Sequence, residues 1–419
     1  MIAKELTDKI RQYFVRRPEF LTLKDKLSPE EIKKYILEGI RSVIYAEDVK
    51  LLEADEQRLM QEFYDEFVSL GPLRPLIEDN SITEIMVNGP NLVYVEKNGN
   101  IERTNIFFNN EQHLMHTIQK IITPSGRRVD ESMPYVDFSL TDGSRVNIII
   151  PPVSLTGPVI TIRKFSTAIN RIEDLVKLGA LDQKMADFLV ATIKARLNIV
   201  FSGATGVGKT TLLNVLSQYI PAKERIVTIE DTSELRLQQE HVVSLQSRSQ
   251  NVEGKGEIGI RDLFKNSLRM RPDRIIIGEI RGAEALDMIQ AIASGHTGSL
   301  AIIHANSPTD AILRLETMIL MSGIQLALPN VRTLIANALD LVVHMEHSPD
   351  GIRRVTHITE IGNVEDGNIR RENIVIFEQK DMDTEGRIIG NWTYCKPKSW
   401  FLPKFKKLNV KFPEELFSL

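Results

Sequence analysis

Residues 203–210 read GATGVGKT one residue after the apolar run LNIVF at 197–201, and this junction constrains the fold of the chain more than any other feature. The glycines let the backbone curl with its N–H groups turned inward, while Lys209 and the hydroxyl of Thr210 complement a phosphate and its magnesium ion. The helix predicted from Lys209 adds its positive N-terminal end to the same place. A glycine-rich turn without a ligand would not need all of these residues together. The pattern therefore predicts nucleoside-triphosphate binding by Gly203, Ala204, Thr205, Gly206, Val207, Gly208, Lys209, Thr210 and Thr211.

Apolar strands and helices alternate after this loop. Strands are predicted at 198–202, 225–230, 274–278 and 299–303, and helices at 209–219, 260–269 and 282–293. Such alternation is typical of an α/β domain built on a parallel sheet. The carboxyl ends of parallel strands meet at one edge of the sheet, which is where ligands bind.

Two of these predicted strands end in carboxylates. Glu230 and Asp231 follow one strand, and Glu279 follows another. Hydrolysis of a nucleoside triphosphate needs one acid near magnesium and one that orients or deprotonates water. Strand ends often carry solvated acids, but two acidic strand ends behind a phosphate loop favour a catalytic role.

Two histidines flank the last predicted strand. His304 ends the strand on the expected nucleotide side, where it could sense a γ-phosphate, whereas His296 precedes the strand. A lone histidine is more often a packing or surface residue than a catalytic one. Position alone therefore favours His304 over His296.

The remaining sequence indicates additional domains. The first 70 residues have charged and apolar side chains at helical spacing, which predicts a small helical domain. Short alternating segments with turn signals then surround one predicted helix, which indicates an α+β domain. The predicted boundaries are 1–70 for the helical domain, 71–165 for the α+β domain, 166–180 for a linker, 181–395 for the ATPase domain and 396–419 for a basic tail.

Composition narrows the class of protein. A net charge of −4 with 26% charged residues argues against binding nucleic acid through general basicity. A single cysteine, Cys395, can form neither an internal disulfide nor a cysteine-based zinc site, which fits a reducing cytoplasm. The N-terminus lacks the apolar core of a signal peptide, and no run of 18 uncharged apolar residues occurs. We therefore expect a cytoplasmic protein whose membrane contact is peripheral.

The order of the motifs resembles that of the secretion ATPase superfamily, whose members drive type II and type IV secretion and type IV pilus extension or retraction. TIED at 228–231 is similar to its Asp box, and GEIR at 278–281 is similar to its atypical Walker B motif. GH at 295–296 and HAN at 304–306 resemble its His box. The resemblance runs from about residue 70 nearly to the C-terminus and implies a RecA-like ATPase domain behind a PAS-like α+β domain.

Other segments resemble one branch of the superfamily, the CpaF-like ATPases that assemble Tad (Flp) pili. They include VNGP at 87–90, IRKF at 162–165 and RMRPD at 269–273. Thr232 stands where the pilus retraction and type II branches carry proline, and the four-cysteine zinc segment of the type II branch is absent. An archaellum or archaeal pilus motor and a type IV secretion ATPase remain alternatives.

The resemblance implies a role for each matching residue of the ATPase domain. Lys209 and Thr210 would hold the phosphates and Mg²⁺, Glu230 would polarise the attacking water, and Glu279 would be the Walker B carboxylate beside the metal. His296 and His304 would couple the nucleotide state to domain motion.

The resemblance also implies a contribution from outside the ATPase domain. Arg145 and Arg163 match arginines that the α+β domain of the family supplies to ATP. Their alternative reading is that of solvated strand residues. The implied assembly is a homo-hexameric ring that moves against an inner-membrane pilus platform protein, with no nucleic acid and no zinc.

Two functions of other classes stay open at the level of sequence. One is a RecA-like nucleic-acid translocase, which the acidic balance and the lack of a basic aromatic groove disfavour. The other is a scaffold that binds ATP without turnover.

The basic tail either docks its aromatic residues on its own domain, the reading we prefer, or touches anionic lipid or the platform protein.

Overall fold

The computed structural model consists of two compact units, residues 1–166 and 167–419. It describes residues 4–15, 17, 28–67, 71–97, 100–140, 142–164, 169–248, 255–383, 386–398 and 400–414. Residues 68–70, 166–168 and 415–419, which belong to the predicted helical domain, linker and tail, lie outside the described residues.

The first unit begins with a small helical bundle. Its helices are α1 (Lys4–Val15), α2 (Pro29–Ala46) and α3 (Glu53–Phe67). Ser28 and Glu31 form a capping box that fixes the start of α2. The apolar faces of the three helices meet in one core around Ile10, Phe14, Ile36, Leu59 and Phe63.

An antiparallel sheet follows in the same unit. Its strands are β1 (Ile82–Asn88), β2 (Val93–Lys97), β3 (Asn100–Arg103), β4 (Tyr135–Ser139), β5 (Arg145–Ile149) and β6 (Val159–Arg163), in the order β3-β2-β1-β6-β5-β4. Helix α4 (Arg74–Glu78) precedes the sheet, and helix α5 (Glu111–Ile122) covers one face of it. Alternating residues of β5 and β6, such as Val146 and Ile160, share a core with α5.

The second unit is built on a mixed sheet. Its strands are β7 (Ile199–Gly203), β8 (Ile226–Glu230), β9 (Val242–Gln246), β10 (Arg274–Ile277), β11 (Leu300–His304), β12 (Leu341–His347), β13 (Arg353–Glu365), β14 (Asn368–Met382) and β15 (Ile388–Tyr394). The order is β15-β14-β13-β12-β7-β11-β10-β8-β9. The strands from β12 to β9 are parallel, and the alternation of elements predicts four of them, β7, β8, β10 and β11. Strands β13, β14 and β15 extend the sheet antiparallel.

Helices cover both faces of this sheet. They are α6 (Ile172–Lys177), α7 (Gln183–Lys194), α8 (Lys209–Ser217), α9 (Ile260–Ser267), α10 (Glu284–Ala293), α11 (Pro308–Leu320), α12 (Leu328–Ala338) and α13 (Leu402–Lys407). One core contains residues of α7 and α8, and a second contains residues of α10, α11 and α12. This arrangement places helices on the two sides of a largely parallel sheet, as in other α/β domains.

Two segments outside the predicted ATPase boundaries join its core. Helix α6 lies inside the predicted linker, yet Ile172 and Leu175 are buried with the second unit. An extended linker would expose these side chains, so the helix belongs to the domain. In the tail, Phe401 packs against Phe188 and Phe405 is buried in the same core, as the reading in which the tail docks on its own domain predicts.

Candidate functional site

The phosphate loop joins β7 to α8 in the parallel part of the sheet. Gly203, Gly206 and Gly208 have φ angles of 148°, 80° and 96°, a region that residues with a Cβ rarely adopt. Gly208 is also the N-cap of α8, so the N–H groups of the first helical turn open onto the loop. The loop therefore has the backbone shape of an anion-binding site.

Lys209 is held inside the loop. Its side chain is 5% exposed, and its ammonium donates hydrogen bonds to the carbonyl oxygens of Gly203 at 3.0 Å and Ala204 at 2.6 Å. Lysine is rarely buried without partners. These two carbonyls supply neutral partners that orient the ammonium within the loop.

Strand β12 packs directly against the start of the loop. A Cβ on Gly203 would lie 2.3 Å from the carbonyl oxygen of Met345, closer than any side chain allows. A Cβ on Gly208 would lie 3.5 Å from Met345 Cε and 3.8 Å from Arg353 Cδ. Residues of the C-terminal strands thus form one wall of the loop.

Glu230 ends β8 as a buried carboxyl group. One of its oxygens accepts hydrogen bonds from the backbone N–H groups of Glu234 at 2.8 Å and Leu235 at 2.9 Å. Gly278 makes room for it, since a Cβ there would lie 2.7 Å from Glu230 Cγ. Burial raises the pKa of Glu230 to about 7, although the two hydrogen bonds lower it. A carboxyl group with this pKa can accept a proton near neutral pH, as a general base must.

Glu279 follows β10 and meets His304 from the neighbouring strand β11. His304 Nε2 lies 3.4 Å from Glu279 Oε1, and its other ring nitrogen lies 3.4 Å from the hydroxyl of Thr205 in the phosphate loop. Burial, together with the positive charge of Lys209, lowers the pKa of His304. The neutral imidazole therefore joins the Walker B position to the loop through two long polar contacts.

Arg281 adds a positive charge beside the acids. Its guanidinium lies 2.6 Å from Glu279 Oε2 and 3.2 Å from Asp231 Oδ2. Burial alone would raise the pKa of Glu279, but the hydrogen bond from Arg281 and the surrounding positive charges outweigh it and lower the pKa. Glu279 is consequently a carboxylate at neutral pH, in contrast to the partly protonated Glu230.

The residues present fit a magnesium ion that arrives with a nucleotide. Magnesium in such sites takes one or two protein ligands and completes its shell with phosphate oxygens and water. The hydroxyl of Thr210 donates to Glu234 Oε2 at 3.3 Å, and Glu279 lies near enough to Lys209 for the two charges to interact. Across the described residues there is no cluster of three or more His, Cys, Asp or Glu side chains that could hold a metal alone. Thr210 and Glu279 would hold the ion together with the phosphates.

The two histidines of the His box lie at opposite ends of strand β11. His304 pairs in register with Gly203 at the phosphate edge, whereas Leu300 pairs with Ile199 at the start of the strands. His296 precedes Leu300, so a strand of five residues, about 16 Å long, separates it from that edge. Within this unit His296 is not brought next to the phosphate loop, and its coupling role stays a prediction.

A buried polar network fixes the segment that carries His296. Arg274 is fully buried, forms an ion pair with Glu224 at 2.5 Å and donates to the carbonyl oxygen of Gly298 at 3.5 Å. The side-chain oxygen of Asn198 accepts a hydrogen bond from the Gly298 N–H at 2.7 Å. The segment before β11 is therefore anchored to neighbouring strands.

Arg145 and Arg163 lie in the first unit as direct neighbours on β5 and β6. Residues opposite one another on adjacent strands share a face of the sheet, and this face is the one that α5 leaves uncovered. Glu84 is the neighbour of Arg163 on the other side, from strand β1. The two arginines thus form a basic pair on an open face, and their approach to a nucleotide stays a prediction.

Sequence reasoning missed several residues of this site. Arg281 is part of the GEIR motif, and its spacing of two from Glu279 in a strand-end loop was a usable signal. Glu234 follows Glu230 by four residues in a loop whose path is not predictable from sequence. Met345 and Arg353 reach the phosphate loop only through sheet pairing over more than a hundred residues, for which the local sequence carries no signal.

Comparisons with known proteins place the chain among secretion proteins. The sequence model of the family described as "Type II/IV secretion system protein" matches residues 66–354. A putative conjugal transfer protein of Mycobacterium tuberculosis (strain CDC 1551 / Oshkosh) is 34% identical over 306 residues, which cover 72% of this chain and 86% of that protein. The type IV secretion system protein VirB11 of Brucella suis biovar 1 (strain 1330) is 33% identical over 324 residues, which cover 70% of this chain and 88% of that protein.

A solved structure supports the fold. The crystal structure of the pilus retraction motor PilT with bound ADP has a TM-score of 0.50 and 18% identity over 80% of this chain and 86% of that chain. At this identity the likeness is one of fold.

Among the described residues of this chain, no helix combines the length and the apolar character that crossing a membrane requires.

Proposed function

The chain belongs to the family of type II/IV secretion system proteins, and from this premise we propose that it is a motor that hydrolyses ATP to ADP and phosphate and converts the energy into mechanical work. The observation that carries the proposal is the meeting of the phosphate loop, Glu230 and Glu279 at one edge of a parallel sheet. Family membership alone would not assign these residues to chemistry.

The geometry supports a division of labour among the residues. Bound ATP and magnesium would supply the γ-phosphoryl group and neutralise its charge. Lys209 and the loop N–H groups bind the phosphates, while Glu230 takes a proton from the attacking water. Glu279 would help to hold magnesium, and His304 links Glu279 to the phosphate loop. Two acids with different protonation behaviour are what a base and a metal-side carboxylate require.

Assembly of a Tad pilus is our narrower proposal. It rests on VNGP at 87–90, IRKF at 162–165 and RMRPD at 269–273. The related proteins are described as conjugal transfer and type IV secretion proteins, so type IV secretion is the alternative use of the same motor, and an archaellum motor is another.

We further propose that the protein works as a homo-hexameric ring at the cytoplasmic face of the inner membrane, against a membrane platform protein. In the ring, Arg145 and Arg163 of the α+β domain would reach the ATP and so link hydrolysis to domain motion. That this domain is PAS-like remains part of the proposal. Exposed lysines of the tail, such as Lys406 and Lys407, would face a partner protein or lipid, while Phe401 and Phe405 stay buried in the core.

One experiment separates this function from a nucleic-acid translocase. Hydrolysis of ATP by the purified full chain is measured alone, with vesicles containing anionic lipid, and with single-stranded DNA, with Lys209→Ala as the inactive control. We expect vesicles, but not DNA, to stimulate turnover. Stimulation by DNA together with indifference to vesicles would favour the translocase.

A further inference from the structure

Arg281 bridges the acidic ends of two neighbouring strands. Its Nη2 lies 2.6 Å from Glu279 Oε2 after β10, and its Nη1 lies 3.2 Å from Asp231 Oδ2 after β8. We propose that Arg281 is a positioning residue that serves as the counter-ion of Glu279 in the absence of a metal ion and competes with magnesium for that carboxylate. This inference rests on the proposed function, because it concerns the same site.

The engagement of Glu279 supports competition. Arg281 contacts one of its carboxylate oxygens, and His304 lies 3.4 Å from the other. A divalent ion that uses this carboxylate, directly or through water, must therefore draw it away from a positive charge. Like charges near one anion weaken each other's binding, since each partner gains less from a carboxylate that is already neutralised.

The guanidinium of Arg281 can move away from Glu279, whereas the backbone of Arg281 is held in place. The N–H groups of Arg281 and Gly282 donate to Glu284 Oε1 at 2.6 and 2.8 Å, and the Glu284 side chain is buried. The side chain of Arg281, in contrast, is 56% exposed. A long, half-exposed side chain on a rigid stem can swing toward solvent without disturbing the strand end.

A purely structural role does not explain this arrangement. Exposed ion pairs contribute little to stability, and Arg281 makes its contacts at the metal-side carboxylate. Asp231 is tied independently to the sheet, because the hydroxyl of Ser247 donates to it at 2.9 Å. The two contacts of the Arg281 guanidinium therefore neutralise the charge of Glu279 more than they stabilise the fold.

The test measures divalent metal affinity rather than turnover. Mn²⁺ is titrated into the full chain with saturating ADP, and free Mn²⁺ is followed by electron paramagnetic resonance. Arg281→Gln should bind Mn²⁺ about three- to tenfold more tightly than the unmodified chain, as the loss of one competing charge near a carboxylate predicts. Arg281→Lys, which keeps the charge, should lie between them.

Two further variants serve as a control and as a second, independent test. Arg370→Gln breaks an exposed arginine–glutamate pair on the β13–β14 hairpin and should leave Mn²⁺ affinity unchanged. Asp231→Asn should leave Arg281 to Glu279 alone and should weaken Mn²⁺ binding, which is opposite in sign to the effect of Arg281→Gln. This second variant keeps the test decisive if Arg281→Gln does not fold.

The outcomes distinguish the inference from the function on which it rests. An unmodified chain that binds neither ADP nor Mn²⁺ would remove the proposed function itself. An unmodified chain that binds both, with Arg281→Gln binding Mn²⁺ equally or more weakly, would overturn the competition by Arg281 and leave the ATPase assignment intact. Equal or tighter Mn²⁺ binding by Asp231→Asn would also overturn it.

Discussion

Glu230 and Glu279 are two glutamates that the fold makes chemically different. Glu230 is buried and has a pKa raised to about 7, while Glu279 is paired with Arg281 and has a lowered pKa. A base must be able to accept a proton, whereas a carboxylate near a metal must stay charged. The sequence places both acids at strand ends and separates their roles only through the family resemblance, whereas the packing gives the two groups different pKa values.

The raised pKa predicts how activity depends on pH. The carboxyl group of Glu230 accepts a proton from water only when it is ionised, so kcat/KM should fall as the pH drops below about 7. The free-enzyme profile, measured between pH 5.5 and 9 under conditions of constant ionic strength, should show one acidic limb near that value. In Glu230→Gln the residual activity should be at least about a hundredfold lower and should lack this limb. A limb that persists in the variant would assign it to another group.

Much of the site at this scale could be predicted from sequence. Lys209, Thr210 and the two glutamates stand in local motifs that need particular residues at fixed spacing. Arg353 could not be assigned in the same way, because arginine is common at surfaces and its approach to the loop depends on strand pairing. The position of His296 away from the phosphate edge follows from the register of β11, which no motif encodes.

At the scale of elements, the C-terminal segment follows the preferred expectation, in which its aromatic residues dock on its own domain. Phe401 and Phe405 are each 1% exposed, and Lys404 forms an ion pair with Asp340 at 2.5 Å. Apolar residues interleaved with lysines predict either docking or lipid contact, and only the neighbouring surface decides between them. Here α7 supplies an aromatic partner, Phe188, for Phe401, and Phe401 and Phe405 are both buried.

Burial of the tail predicts a stability effect. Phe405→Ala should lower the free energy of unfolding by roughly 3–5 kcal/mol, because it leaves a cavity in the core of the second unit. Leu408→Ala, three residues away and 41% exposed, should change it by less than about 0.5 kcal/mol. Chemical denaturation of both variants measures the difference. Equal, small effects would show that the tail is not part of the core.

The alternating strands and helices around the phosphate loop were predictable because each carries its own periodicity. Strand β9 and the strands from β12 onward were not delimited from the sequence, since they carry none of the motifs, and β13, β14 and β15 extend the sheet antiparallel after the parallel core is complete. They nevertheless shape the site, because Met345 of β12 and Arg353 of β13 form the wall against Gly203 and Gly208.

At the scale of the whole molecule, the chain combines a nucleotide-binding unit with a unit that carries a pair of arginines. Arg145 and Arg163 lie side by side on an open sheet face of residues 1–166. Sequence reasoning locates both arginines only through the family resemblance, because an exposed strand arginine is otherwise unremarkable. The proposal that they complete the active site makes the ATPase dependent on both units.

This dependence predicts a variant that binds ATP but does not turn it over. Arg163→Gln should reduce hydrolysis by about 10³-fold or more, the effect of removing an arginine that stabilises the transition state, while the Kd for ATP changes much less. Arg103→Gln, on the exposed edge strand β3, should retain normal hydrolysis. Single-turnover hydrolysis and nucleotide titration of the three proteins check this. Normal hydrolysis by Arg163→Gln would show that Arg163 does not take part in the reaction.

Sustained phosphate release by the purified full chain with ATP and Mg²⁺ tests the central claim most directly. We predict many turnovers per subunit for the unmodified protein, at least about a hundredfold less for Glu279→Gln with ATP still bound, and neither binding nor turnover for Lys209→Ala. No release by the unmodified protein would indicate a scaffold that only binds nucleotide. Release at the unmodified rate by Glu279→Gln or Lys209→Ala would contradict the assignment of the site.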